Sequence, residues 1–344
     1  MQRHTIFISS PLEAEHVARI RALDPDRIEV LYEPDLLPPI RYRNDHKGGP
    51  FTRNAEQAAR WDSMLARATI CWDIPAPEDL PKARQLRWIQ TTSTGVGQSI
   101  ARAGLKDSDI LVTTARGVHA RPLAEFVFMA LLAHFRGLSH LQSEQRAHRW
   151  QRYCAEEVAG KTLVIVGAGD LARGSAQIAK ALEMQVVAVA REAGKKREHA
   201  ALFDEVVPSA ALHAALARAD AVVLTMPHTP ETERMMDAAA IAAMKPGVAF
   251  VNIARGQVVD EQALIAALRS GHIGYAALDV AEVEPLPPDS PLWDMPNVLI
   301  SPHSASTVAS ENARITDIFL HNLRCWLDGR PGDMRNVLDK QRMY

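Results

Sequence analysis

Apolar positions along this chain alternate between two periods. Short runs rich in β-branched residues, the pattern of buried parallel strands, occupy 5–9, 28–32, 68–72, 86–91, 112–114, 162–166, 186–190, 221–225, 248–253, 274–278 and 298–301. Helical spacing of apolar residues fills 12–23, 54–66, 121–150, 171–182 and 312–327. Strands alternating with helices predict an α/β architecture on parallel sheets. The alternation breaks at 33–53, where Pro34, Pro38, Pro39, Gly48, Gly49 and Pro50 accompany Arg41, Arg43, His46 and Lys47. This stretch reads as a solvated surface loop or as a loop overhanging a substrate site.

The clearest unit spans 161–191. Its strand ends at Gly167-Ala168-Gly169, a helix starts at once, and a second strand closes at Ala190. In such a βαβ unit Gly167 permits the tight turn, and Gly169 lets backbone approach a pyrophosphate on the positive end of the helix. Ala172 stands where a third glycine is usual, a position that sets how closely helix and strand pack. The unit therefore predicts dinucleotide binding.

At 344 residues the chain has length for two domains of ordinary size. Hydrophobic residues make up 47% and the formal net charge is −2, so no general electrostatic pull toward nucleic acid or an anionic membrane is expected. Cys71, Cys154 and Cys325 are far apart and odd in number, which predicts neither a disulfide framework nor a metal knuckle and fits a reducing compartment. No apolar run reaches membrane-spanning length and the first residues lack a signal-type apolar core, so a cytoplasmic location is expected. His134, His140 and His148 do not share one helix face at ligand spacing; they read as surface or packing residues, and no metal site is expected.

Several predicted strands end in polar residues. Met226-Pro227-His228, Ala254-Arg255-Gly256, Asp279-Val280 and Pro302-His303 each follow a strand, and Glu284 follows Asp279 on the same loop. Open α/β sheets bind ligands at the carboxyl ends of their strands, which puts Arg255, Asp279 and His303 on one rim with the two glycines. Arginine offers a fork of donors to a carboxylate, histidine can hand over a proton near neutral pH, and a carboxylate beside it would stabilise the imidazolium. Each has a plainer reading: Arg255 could pair with a structural acid, Glu284 could be solvated, and His303 could satisfy a backbone carbonyl. Ser93-Thr94-Gly95-Val96-Gly97, just past another strand, is a plain turn or a small anion nest.

Seven segments then carry a resemblance: LRWIQTTSTGVG (86–97), HARPLAEFVFMALL (119–132), GKTLVIVGAGDLA (160–172), MPHTPETERMM (226–236), MKPGVAFVNIARGQVVDEQAL (244–264), ALDVAEVEPLP (277–287) and PNVLISPHSAS (296–306). In order and spacing they resemble the D-isomer-specific 2-hydroxyacid dehydrogenases, the glyoxylate/hydroxypyruvate reductases among them. The first 80 residues match in pattern only. The resemblance implies that Arg255 binds the substrate carboxylate, His303 is the general acid/base and Glu284 orients it. It implies that Thr94, Gly95 and Val96 contribute backbone amides to the carboxylate. On the cofactor side it suggests Asp170 and Leu171 at the pyrophosphate, Pro227 and Thr232 beside the adenosine half, and Ala254 and Asp279 at the nicotinamide end.

The architecture implied is two doubly wound parallel-sheet domains with a cleft between them. A Rossmann coenzyme domain (119–304) is inserted in a flavodoxin-like substrate domain (1–118 and 305–344). The activity implied is hydride transfer between NAD(P)H and a 2-keto acid/D-2-hydroxy acid pair, in a homodimer. An NAD site usually places an acid at the end of the second strand, about 20 residues past the glycines. This chain has Ala190 and Arg191 there, then Lys195, Lys196 and Arg197, which suits the 2′-phosphate of NADP(H) over NAD(H), although Glu192 could still reach a ribose. The alternative is a dinucleotide-sensing, corepressor-like interaction protein with little turnover.

Overall fold

A computed structural model describes residues 3–191 and 200–341. The chain packs as two compact units, residues 1–118 with 307–344, and residues 119–306.

The first unit is a five-stranded, all-parallel sheet of β1 (His4–Ile8), β2 (Ile28–Leu31), β3 (Ile70–Trp72), β4 (Trp88–Gln90) and β5 (Leu111–Thr113). Its order, β2-β1-β3-β4-β5, is the flavodoxin-like winding. Each face carries its own core. The Ala55–Arg67 helix covers one face with Trp61, Met64 and Leu65, and it starts at a capping box in which Asn54 and Gln57 exchange hydrogen bonds. The Glu311–Leu327 helix covers the other with Ile315, Phe319 and Leu323, all fully buried. The Phe319 ring lies 5.4 Å from that of Trp72 and 5.1 Å from that of Trp88. Burial of each such side chain contributes roughly 1.5–3 kcal/mol, so the C-terminal segment belongs to this unit although 188 intervening residues form the other.

Residues 33–53 are not simply a solvated loop. Pro34–Leu36 forms a 3-10 turn, and Leu36, Leu37, Asn44 and Asp45 are buried. Both Asp45 carboxylate oxygens accept from the Arg41 guanidinium at 2.8 and 3.0 Å, and the Arg41 and Gly48 amides donate to them at 3.1 and 3.0 Å. The Arg41 hydrogen bond leads in holding the Asp45 carboxyl far below the ordinary carboxylate range; burial opposes it, and the two backbone amides add to it.

The second unit is a seven-stranded parallel sheet: β6 (Thr162–Val166), β7 (Gln185–Ala190), β8 (Glu205–Pro208), β9 (Ala221–Leu224), β10 (Val248–Asn252), β11 (Ile273–Leu278) and β12 (Val298–Ile300). The order β12-β11-β10-β9-β6-β7-β8 is the Rossmann winding with one strand added at the far edge. β6, β9, β10 and the inner half of β11 are buried on both faces, which explains their unbroken apolar runs. β8 escapes the sequence pattern because it has only two apolar residues, Val206 and Val207, between exposed Glu205 and Pro208.

The single helix expected over 121–150 is two helices, Ala120–Phe135 and Leu138–Arg146, broken at Gly137, which is left-handed at φ +67°. The first buries Leu123, Val127 and Leu131; the second buries nothing. His134 is half-buried and stacks on Tyr275 at 5.0 Å, His140 lies against Tyr153, and His148 is exposed. Among the described residues no cluster of His, Cys, Asp or Glu could hold a metal, and no helix is long and apolar enough to cross a membrane.

Candidate active site

In the second unit β6 and β9 are parallel neighbours at which the strand order switches, and the residues following these strands set the glycine turn. Gly167 has φ +118°, a conformation that side chains rarely adopt, and a Cβ there would sit 2.3 Å from Thr225 Oγ1. Thr225 donates to Val166 O at 3.0 Å, so the tight turn is braced by the neighbouring strand end. Gly169 is the N-cap of the Asp170–Ala181 helix and supplies no side-chain cap. A Cβ on Gly169 would meet nothing within 4 Å, leaving open space in front of the helix N-terminus. This combination fits a pyrophosphate, which needs close backbone approach and free amide donors. Ala172 is fully buried, as expected of the residue that seats the helix on the sheet; Leu171 is half-buried, and Asp170 lies in the first turn.

Arg191 follows β7 directly and is exposed. Glu231 is held below the ordinary range chiefly by the Thr229 hydroxyl, with the Arg191 charge contributing. Glu192, Lys195, Lys196 and Arg197 lie outside the described residues. After β9, Thr232 acts as a brace within its own turn: its hydroxyl donates to Pro227 O at 2.7 Å and accepts from the Thr229 amide at 2.7 Å. Thr232 thus shapes the Pro227 turn instead of projecting a spare hydroxyl from it.

The three residues of expected catalytic interest gather at the ends of β10, β11 and β12. Arg255 follows β10, and a buried polar residue at the strand end shapes its turn: Asn252 accepts from the Ala254 amide at 3.0 Å and donates to Arg255 O at 3.1 Å. Gly256 comes next. A Cβ there would lie 1.8 Å from Ala281 O, so glycine is required for the Arg255 turn to seat against the 281–284 loop. That close approach brings Arg255 and Glu284 within electrostatic range. Burial lowers the Arg255 guanidinium from its ordinary value, and the charges of Glu284 and Asp279 act against that lowering.

His303 Nδ1 lies 2.8 Å from Glu284 Oε2, and Glu284 Oε1 accepts from the Ala281 amide at 3.2 Å. Burial raises the Glu284 carboxyl, but the hydrogen bond and charge of His303, the Ala281 amide and Arg255 outweigh it. The group titrates below its ordinary range. Asp279, at the end of β11, is only 3% exposed. Its Oδ1 accepts from Ser301 Oγ at 2.7 Å and from the Ser304 and Ala305 amides at 2.9 Å each. Burial dominates there and raises the Asp279 carboxyl despite these donors and the His303 charge.

The second unit therefore joins Arg255, Asp279, Glu284 and His303 in one polar cluster at the end of a dinucleotide-type sheet, with Ala254 buried beside Arg255. Thr94, Gly95 and Val96 belong to the first unit, where Val96 caps the short Gly97–Arg102 helix. Asn252, Thr225, Ser301 and Gly256, the braces and spacer of this arrangement, had no role in the sequence reading. A polar residue closing an apolar strand, as in VAFVN, is the signal that marks Asn252.

A family model described as D-isomer specific 2-hydroxyacid dehydrogenase, NAD binding domain, matches residues 128–305. The chain is 37% identical over 233 residues to an (S)-sulfolactate dehydrogenase of Chromohalobacter salexigens, an alignment covering 67% of this chain and 74% of that one. It is 38% identical over 270 residues to a D-3-phosphoglycerate dehydrogenase of Mycobacterium leprae, covering 75% of this chain but only 48%, about half, of the relative's length. Among solved structures, a D-isomer specific 2-hydroxyacid dehydrogenase of Xanthobacter autotrophicus Py2 in complex with NADPH and MES superposes with a TM-score of 0.76 at 29% identity, over 100% of both chains.

Proposed function

This chain belongs to the D-isomer specific 2-hydroxyacid dehydrogenase family, whose members carry out NAD(P)-dependent hydride transfer, and we propose that it interconverts a 2-keto acid and a D-2-hydroxy acid with NADP(H) as the preferred cofactor. The 2.8 Å pairing of His303 Nδ1 with Glu284, next to a partly buried arginine, carries this reading. A bound nicotinamide supplies the hydride that carbon 2 of the keto acid accepts. Arg255 holds the substrate carboxylate with its planar fork of donors. Glu284 fixes the imidazole through Nδ1 and stabilises its cationic form, leaving Nε2 to donate a proton to the forming alkoxide. In the oxidative direction the same nitrogen takes the proton back.

Gly167, Gly169, Asp170 and Leu171 would hold the pyrophosphate, Pro227 and its Thr232 brace would flank the adenosine half, and Ala254 and Asp279 would border the nicotinamide. Arg191 supports the phosphorylated cofactor: it stands where an acid would otherwise select the ribose hydroxyls, and the NADPH-bound relative shares the whole fold. The exposed Met129, Leu138, Leu141, Trp150 and Tyr153 support a homodimer, which light scattering of the purified chain tests; a monomer would remove that assignment. Three free thiols support a reducing, cytoplasmic setting.

The deciding experiment is a panel of glyoxylate, hydroxypyruvate, pyruvate and bulkier aromatic keto acids, each with NADPH and NADH. Steady cofactor oxidation, abolished by His303→Ala and faster with NADPH, is the expected result. No turnover across the panel would overturn the enzymatic reading, and a preference for NADH would overturn the cofactor assignment alone.

A further inference from the structure

His303 stands in a backbone conformation that non-glycine residues adopt uncommonly. Its φ is +53°, in the left-handed region, where a non-glycine residue persists only where its surroundings enforce it. The enforcing contacts converge on a single neighbouring residue. The His303 amide donates to Asp279 O at 2.8 Å and to Ser301 O at 2.9 Å. On either side of His303, Ser301 Oγ and the Ser304 and Ala305 amides all donate to Asp279 Oδ1, at 2.7, 2.9 and 2.9 Å. One buried carboxylate oxygen and one carbonyl of the same residue thus fasten the chain before, at and after the histidine.

The sheet explains why this clamp is available. Leu278 pairs with Ile300, so Asp279 and Ser301 leave adjacent strands in register and meet as the chains exit. The Ser301 hydroxyl is the one donor of the set that comes from a side chain and can therefore be removed by substitution.

We propose that Ser301, acting through Asp279, is a positioning residue: it closes the clamp that holds His303 left-handed, and so aims its ring at Glu284 and its other nitrogen at the substrate. This rests on reading His303 as the general acid/base, and it is separate from any contact of Asp279 with cofactor. Arg255 and the glycine turn are fastened by Asn252 and Thr225, so loss of the Ser301 hydroxyl leaves the substrate-carboxylate and pyrophosphate anchors in place.

The test compares Ser301→Ala, Ser301→Thr and His303→Ala in the full chain, using glyoxylate and NADPH together with hydrogen exchange of the Ser304 and Ala305 amides. Loosening an acid/base group by a fraction of an ångström costs about 10-fold in kcat, so Ser301→Ala should lose about that much. Its KM for glyoxylate and Kd for NADPH should stay within about twofold, because Arg255 and the pyrophosphate turn are fastened by other residues. Exchange at Ser304 and Ala305 should quicken about 10-fold, and Ser301→Thr, which keeps the hydroxyl, should restore both readouts. Unchanged exchange in Ser301→Ala, or a kcat loss that threonine does not rescue, would overturn the clamp. Retained turnover in His303→Ala would instead overturn the acid/base reading, and the exchange measurement would still decide the clamp without turnover.

Discussion

Replacing Glu284 by glutamine keeps an acceptor oxygen beside His303 Nδ1 and removes only the charge. A charge-assisted hydrogen bond is worth about 1.5–3 kcal/mol and a neutral one about 0.5–1.5, a difference of about 1.5 kcal/mol. The two side chains are 44% and 37% exposed, so solvent screening trims the difference to about 1 kcal/mol, or about fivefold. Glu284 titrates below the ordinary carboxylate range, so its charge is present throughout the neutral window and is lost only as acid protonates it. The loss in Glu284→Gln should accordingly fall on the population of imidazolium and depend on pH. In the reductive direction the variant should approach the unmodified protein at low pH and fall to about one fifth of its kcat above the alkaline limb. The assay is kcat for keto acid reduction across pH, with the melting temperature as a control for folding. A deficit that is the same at every pH, or no deficit, would refute the idea that Glu284 acts by stabilising charged His303.

Other substitutions probe the remaining assignments. Arg255→Lys replaces a planar fork by a point charge, so KM for the keto acid should rise about 10- to 100-fold with a smaller change in kcat; an unchanged KM would remove Arg255 from the carboxylate. Arg191→Ser should lower kcat/KM for NADPH about 10-fold while leaving NADH within about twofold, and equal losses for both cofactors would count against a 2′-phosphate contact. Asp45→Asn should lower the melting temperature by a few degrees, on the order of 3 °C, at neutral pH. Because the folded state depresses the Asp45 carboxyl, its contribution is present above the unfolded value of about 3.9 and fades as pH falls through the folded one. Melting curves of Asp45→Asn and the unmodified chain should therefore converge in acid, and a constant gap would contradict the ion pair as its source.

Much of the fold was legible because burial on both faces of a parallel sheet writes itself locally as apolar runs. Every strand of both sheets except β8 coincides with such a run, and β8, EVVP at an edge, has only two apolar residues between exposed ends. The glycine turn was legible for a similar reason, since its conformation and the adjoining helix N-terminus are built from contiguous residues. The helix break at Gly137 was not, because the apolar spacing on one side and the polar, unburied sequence on the other are both compatible with a continuing helix. In residues 33–53 composition alone does not show that Asp45 turns inward and fastens Arg41 and the backbone around it.

The local sequence by itself determined the elements, the turn suited to a pyrophosphate and, through its motifs, the family. It also flagged Arg255, Glu284 and His303 as reactive types at strand ends. Only the tertiary structure decided that β10, β11 and β12 lie side by side in register, so that residues 48 positions apart form one cluster. It alone decided that Asn252, Ser301 and Asp279 are fasteners, that Gly256 is the spacer, and that His303 is held left-handed. The physical reason is range. Periodicity reports what one segment buries, whereas a hydrogen bond between strand ends depends on sheet order and register, which the whole packed unit sets.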